Sequence, residues 1–204
     1  TAGNIGAVFG NTEEACFNNC YYPEYCNAEG VSFTNEFGTK MSSDAFGSGE
    51  VAYLLSQGST VTDGENTTYY SGSVWGQQLG TDDYPIIGSA YKVLKAAQDG
   101  QEGTNYWATF SNRNSNAELM ASTGEITVYN ATVSGGTLTL TKRSDNKVAL
   151  GEGVLLKANC EYVNAMNISD EVSAAATGEN HLVATPDTEQ TITAEKSYTL
   201  YRLT

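Results

Sequence analysis

The chain has 204 residues, 40% of them hydrophobic, with 21 Gly but only 3 Pro, which suits one large or two small folded domains and excludes a disordered chain. Asp and Glu number 24 against 10 Lys and Arg, a net charge of -14 with no basic cluster able to neutralise a phosphate backbone, so nucleic acid and anionic lipid are excluded as partners. No run of about 18 apolar residues exists, so no membrane span is expected. Only 17% of residues are charged while Thr, Ser, Asn, Gly and Tyr abound, a composition that points to an extracellular or cell-surface β-protein.

The opening TAGNIGAVFG has no charged n-region and no long apolar core, so it does not read as a signal peptide. Starting among glycine turns, it is expected to continue a longer chain. Residues 3 to 22 alternate Gly and Asn turns with short apolar pieces, the pattern of coils in a β-solenoid. The succession NIGAVFG, NNCYYPEYC and GTKMSSDAF resembles the closing part of GLUG-type repeats, covering about residues 3 to 58. The resemblance implies a bacterial adhesin-like surface protein, a solenoid coil and a small helical exit, with Cys20 and Tyr21 packed in its core.

Cys16, Cys20 and Cys26 lie close together and Cys160 far away. Structural zinc needs paired Cys knuckles or Cys/His sets, and the one histidine is His181, so zinc is not expected. A disulfide within Cys16 to Cys26 and buried thiols stay equally open.

Next comes an amphipathic helix from Ser48 to Gly58, with Ser48 as N-cap, Glu50 at the positive end of the dipole, Val51, Leu54 and Leu55 on one face, and Gly58 in the left-handed position after the last turn. Beyond it, Trp75, Leu79, Tyr84, Pro85, Ile86 and Ile87 follow neither helical nor strand spacing, so their burial is expected to come from neighbouring layers. Residues 49 to 93, with GEVAYLLSQG and then WGQQLGTDDYP, resemble a segment common after such repeats in surface proteins of anaerobic bacteria. No activity attaches to that segment.

From the polar spacer Gln98 to Gly103 onward the apolar period becomes two. Strands are predicted at Tyr106 to Phe110, Ile126 to Val133, Thr137 to Thr141, Val154 to Ala158 and Tyr198 to Leu203, with turns at Gly135-Gly136 and Ser144-Asp145-Asn146. The expected architecture is mainly β: residues 1–95 as a terminal solenoid coil, capping helix and aromatic-rich joint, and residues 96–204 as an antiparallel β-sandwich. VALGEGVLLKANCEYV resembles a strand of sandwich domains that end bacterial surface proteins, with Gly151 and Gly153 supplying the turn and Leu155 or Leu156 facing the core.

Motifs that carry chemistry read as structural. Gly47 to Ala52 fits G-x-G-x-x-A, but polar sequence precedes it where a dinucleotide site needs a buried strand. Ser144 to Lys147 fits S-x-x-K on a turn rather than at a helix start. His181 with Cys160, and the acidic pairs Glu13-Glu14, Asp82-Asp83 and Asp170-Glu171, fall short of a recognisable acid, base and nucleophile set, so no catalytic residue and no enzyme is expected. Asp63, Glu65 and Asn66, or Asp82 with Asp83, offer oxygen ligands for a structural calcium but no EF loop; no other cofactor is expected.

Tyrosine is the most suggestive residue, 13 in all. The candidate ligand-binding set is Tyr69, Tyr70, Trp75, Asp82, Asp83 and Tyr84, aromatic rings beside acidic groups that suit a sugar face or a protein partner. The first reading is display on an adhesin-like protein that binds a glycan or host surface protein, and the alternative is an accessory carbohydrate-binding module of a secreted glycan-degrading enzyme. The third is a hydrolase using acidic residues at the joint. Sequons at Asn66, Asn130 and Asn167 matter only in a eukaryotic secretory route.

Overall fold

The computed structural model describes residues 19–26, 38–63, 65–99, 104–172 and 179–184. The protein is mainly β with two short α-helices, and it divides into two compact units. The first holds residues up to Lys95 together with Ala121–Thr123 and Tyr162–Ala165; the second holds Ala96–Met120, Gly124–Glu161 and the chain from Met166 on.

In the first unit, strand β1 (Tyr21–Pro23) runs parallel to β2 (Thr39–Met41), with Tyr21 opposite Thr39. Of the two residues expected in the core, Tyr21 packs partly buried against a cluster of Ala45, Phe46 and Val51 and Cys20 is half-buried, while the neighbouring Tyr22 is buried. The described residues contain no stack of coils: β1 and β2 form one two-stranded pair. The NIGAVFG piece lies outside the described residues.

Two α-helices are present among the described residues, one before Ser48, where the resemblance implied a small helical exit, and one inside the predicted 48–58 span. Ser42, in an extended conformation, caps α1 (Ser43–Gly47) by accepting the Ala45 N–H on its hydroxyl at 3.1 Å. Ser48, expected as an N-cap, instead closes α1, its own N–H donating to the Asp44 carbonyl at 2.8 Å. The chain then turns at Gly49, whose φ of 93° and whose distance of 2.4 Å from a would-be Cβ to Leu79 Cδ2 both demand glycine. This turn, which no side chain signals, shortens α2 to Glu50–Ser56.

Helix α2 buries Val51 in the cluster with Ala45 and Phe46, and Ala52 in a second cluster with Leu79, Val93 and Tyr162. Leu54 and Leu55 are half-buried. Gly58 takes the left-handed φ of 72° expected of it.

Hairpin β3 (Ser59–Asp63) and β4 (Asn66–Tyr70) follows in full antiparallel register, Ser59 opposite Tyr70 and Thr62 opposite Thr67. A two-residue ribbon, β5 (Trp75–Gly76) and β6 (Ile86–Ile87), sets Trp75 opposite Ile87, and β7 (Tyr91–Lys95) ends this part. The expectation that Tyr84, Ile86 and Ile87 are buried is corrected here. Leu79 goes into the core, but Ile87 is 67% exposed and Tyr84 and Ile86 are also exposed, because so short a ribbon orders its backbone without supplying a covering layer.

In the second unit lie β8 (Ala97–Gln98), β9 (Tyr106–Ser111), β10 (Asn116–Met120), β11 (Ile126–Ser134), β12 (Thr137–Lys142), β13 (Lys147–Val148) and β14 (Gly153–Ala158). Strand β15 (Tyr162–Ile168) gives its first four residues to the first unit and the rest to the second. A five-stranded antiparallel sheet has the order β12-β11-β14-β9-β8, and β10 pairs with β13. Four strands predicted from period two are present, each within a residue of its expected ends; Tyr198 to Leu203 lies outside the described residues.

One face of this sheet is apolar and buried: Val128, Val154, Leu156 and Ala158, with Leu156 fully enclosed, settle which of the two leucines faces inward. Each of the valines and the leucine contributes about 1.5–3 kcal/mol when enclosed, the alanine less. The β11–β12 turn places Gly135 and Gly136 at φ 56° and 79°, as a two-residue hairpin loop requires. Gly151 has the positive φ expected of a turn; Gly153 does not, and is small because the Val183 backbone passes 2.9 Å from its would-be Cβ.

Candidate binding surface

The aromatic-rich segment after β4 is held from within by two buried amides. Gln77 is fully enclosed, and its Nε2 donates to the carbonyls of Phe46 and Asp82, each at 2.8 Å. Asn164, also buried, accepts the Leu79 N–H on Oδ1 at 2.8 Å and donates from Nδ2 to the carbonyls of Gln77 and Lys92 at 2.8 and 3.1 Å. Residues 77–82 lack ladder partners, so these side chains satisfy backbone groups that a sheet would otherwise have paired. Sequence reasoning missed both. The signal was a glutamine between Trp75 and Leu79, in a stretch too irregular to solvate all its own polar groups.

Asp82 belongs to the same brace. Its Oδ2 accepts the Gln78 N–H at 2.7 Å and its own N–H donates to the Gln78 carbonyl at 2.9 Å, closing the loop. Asp83 beside it is exposed. Tyr84 packs its ring 5.7 Å from that of Phe46 and its hydroxyl is hydrogen-bonded to the hydroxyl of Tyr25. That bond, followed by desolvation, pushes the Tyr25 phenol up to about 12.

Tyr69 and Tyr70 are consecutive on β4 and therefore point to opposite sides of the hairpin, 61% and 57% exposed. All five residues of β4 are exposed. Tyr69 donates its hydroxyl to the Gln57 carbonyl at 2.9 Å, tying one side of the hairpin to the end of α2. Trp75 is half-buried on the β5–β6 ribbon, across from Ile87. The six predicted residues thus separate into Tyr69, Tyr70 and Asp83 on the surface, Tyr84 and Trp75 partly engaged in packing, and Asp82 as a loop brace.

The groups that could have carried catalysis are occupied structurally. His181 Nδ1 accepts the Val133 N–H at 3.0 Å, which leaves Nε2 to donate to Glu179 at 3.1 Å, while the His181 N–H donates to the Ala131 carbonyl at 2.8 Å. The histidine therefore pins the end of β11. Burial pushes the Cys160 thiol up, away from the thiolate a nucleophile needs. Asp170 pairs with Lys147 at 2.9 Å. Glu152 is buried against Arg143 at 2.8 Å and accepts the Ala149 N–H at 3.1 Å.

Ser144 lies on the expected turn, where Asp145 accepts the Lys147 N–H at 3.1 Å. The motif start Gly47 falls in the last turn of α1, inside a helix rather than after a strand. Cys26 is a free thiol, so no disulfide closes on it; Cys20 and Cys160 are half-buried, and Cys16 lies outside the described residues. Among the described residues no three His, Cys, Asp or Glu side chains converge as a metal would need, and Glu65 and Asn66 stand exposed at the hairpin turn. Asn130 is buried, Asn167 accepts a bond from Asn112 at 2.8 Å, and Asn66 is exposed at the hairpin turn.

No helix among the described residues is long and apolar enough to cross a membrane. Comparison with protein-family profiles, with curated proteins and with solved structures finds no match to this chain.

Proposed function

We propose that the chain is a noncatalytic segment of a bacterial cell-surface or secreted adhesin-like protein, which displays the β3–β4 hairpin to a glycan or host surface protein. The observation that carries the reading is the contrast between two sets of side chains. The histidine and the buried carboxylate are spent on holding strands and loops and the Cys160 thiol is half-buried, whereas Tyr69 and Tyr70 stand out from a strand exposed along its whole length. An aromatic ring with its polar tip in water adds large contact area at little conformational cost, which suits a recognition surface.

On this reading residues 1–95 end a solenoid of GLUG-type coils and carry the displayed hairpin, and residues 96–204 form a β-sandwich that ends the segment. The second reading, an accessory carbohydrate-binding module of a secreted glycan-degrading enzyme, uses the same tyrosines and differs in what else the full-length chain holds.

Screening the 204-residue chain against immobilised glycans and host-cell surface proteins, beside a Tyr69→Ala/Tyr70→Ala variant of unchanged circular dichroism, tests the proposal. Binding that the variant loses at least tenfold supports it. Binding that the variant retains moves recognition elsewhere, and hydrolysis of any glycan by the chain overturns the noncatalytic reading.

A further inference from the structure

The five-stranded sheet of the second unit has a second face, opposite the one lined by Val154 and Leu156, and its composition departs from that of the chain. Residues directly across a ladder share a face. Trp107 stands opposite Lys157, Leu155 opposite both Thr109 and Tyr129, and Tyr129 opposite Lys142. Trp107 and Tyr129 therefore flank β14 from either side, and their rings meet over it, centroids 5.7 Å apart and only 35° from parallel. Lys157 Nζ sits 5.6 Å from the indole centroid, which fixes the ring's orientation.

The chain carries 24 Asp and Glu against 10 Lys and Arg, yet the paired strand positions on this face hold Lys142 and Lys157 and no carboxylate, the exposed Glu125 and Asp99 standing one residue beyond β11 and β8. Trp107, Tyr129 and Lys157 are half-buried and Lys142 is exposed. The two tilted rings form an apolar patch, with the Lys157 ammonium over the indole and Lys142 across the ladder from Tyr129. Strands lie about 4.8 Å apart, so the two lysines, two strands and two residues apart, have backbones separated by roughly 12 Å. The overall negative charge does not cancel this local field, because ionic screening confines each charge's influence to about 8–10 Å.

We infer that this face binds an acidic polysaccharide, the C–H side of a uronic-acid ring lying on Trp107 and Tyr129 and its carboxylates meeting Lys142 and Lys157. Thr109 and Thr127, on the same face, place hydroxyls within the patch for the sugar's own hydroxyls. The site is separate from Tyr69 and Tyr70, so it stands or falls independently of the hairpin reading.

Affinity electrophoresis of the 204-residue chain in native gels containing polygalacturonate, with dextran as the neutral polymer and polyglutamate as an acidic peptide polymer, tests it. Polygalacturonate is expected to retard the chain, dextran and polyglutamate not, and raising the salt to several times physiological strength to release it. Lys142→Ala, at an exposed position, is expected to weaken retention several-fold and Trp107→Ala at least tenfold, while Tyr69→Ala/Tyr70→Ala leaves it unchanged. No retardation, equal retardation by dextran, or retention unaffected in Lys142→Ala overturns the inference. Retardation by polyglutamate as strong as by polygalacturonate also overturns it, in favour of an acidic peptide.

Discussion

At the scale of single residues, glycines separate those the backbone requires from those it merely tolerates. A Cβ on Gly72 would lie 1.9 Å from the Leu55 carbonyl oxygen, a backbone atom that cannot swing away, whereas one on Gly47 meets nothing within 4 Å. Gly72→Ala is therefore expected to cost more than about 2 kcal/mol, and Gly47→Ala, near the end of α1, to stabilise by about 0.4–1 kcal/mol through the unfolded chain. Urea denaturation of the two variants checks both signs. The buried Arg143–Glu152 pair makes a sharper case: Glu152→Gln leaves the enclosed guanidinium only the half-exposed Asp145, 3.8 Å away, as counter-charge and is expected to cost about 3 kcal/mol by the same assay.

The Tyr25–Tyr84 pair gives a dependence on pH. Tyr25 ionises near 12 in the folded chain against an ordinary 10, so the folded state holds its proton more tightly than the unfolded. The bond's contribution is complete below pH 10 and is lost as pH rises from 10 towards 12. Tyr84→Phe is expected to bring one tyrosinate absorbance transition back towards 10; an unchanged titration curve would show that the bond does not form in solution.

At the scale of elements, legibility followed periodicity. Strands β9, β11, β12 and β14 were readable because one face alternates apolar with polar and the turns between them carry Gly-Gly or Ser-Asp-Asn. Strand β15 was not, because its buried residues Tyr162, Val163, Asn164 and Ala165 run consecutively rather than alternately. The first residue of α2 was less legible: Ser48 is as good a cap at a helix start as at the end of α1, and Gly49, packed under Leu79, starts α2 one residue later.

The irregular loop 77–82 was legible as irregular, but its support was not, since Asn164 is 87 residues from Gln77. Asn164→Leu removes three hydrogen bonds to enclosed backbone groups and is expected to cost about 3 kcal/mol or more, with faster hydrogen exchange at the Leu79 amide. Unchanged exchange there would mean that the loop is held some other way.

At the scale of the whole molecule, composition told most about partners to discard and least about those to keep. The charge of -14 argued against nucleic acid, but a net figure cannot reveal that two lysines share one sheet face, which depends on register between residues 13 to 30 positions apart. The tyrosine count pointed to a recognition surface, and the fold sorts that set: Tyr69 and Tyr70 remain outside while Asp82 closes a loop and Tyr84 leans on Phe46. An exposed aromatic that serves packing would be missed by the fold when removed; one that serves recognition would be missed only by the ligand.

Tyr70→Ala asks that question most directly, because its ring is exposed and lies on the side of β4 away from the Tyr69 tie to α2. Stability and ligand retention should be measured on the same preparation. The account predicts stability within about 0.5 kcal/mol of the parent chain and a clear loss of binding to whichever glycan or surface protein the parent retains. A loss of 2 kcal/mol or more with binding intact, by the same rule about surface positions, would contradict it and return the hairpin to a purely structural role.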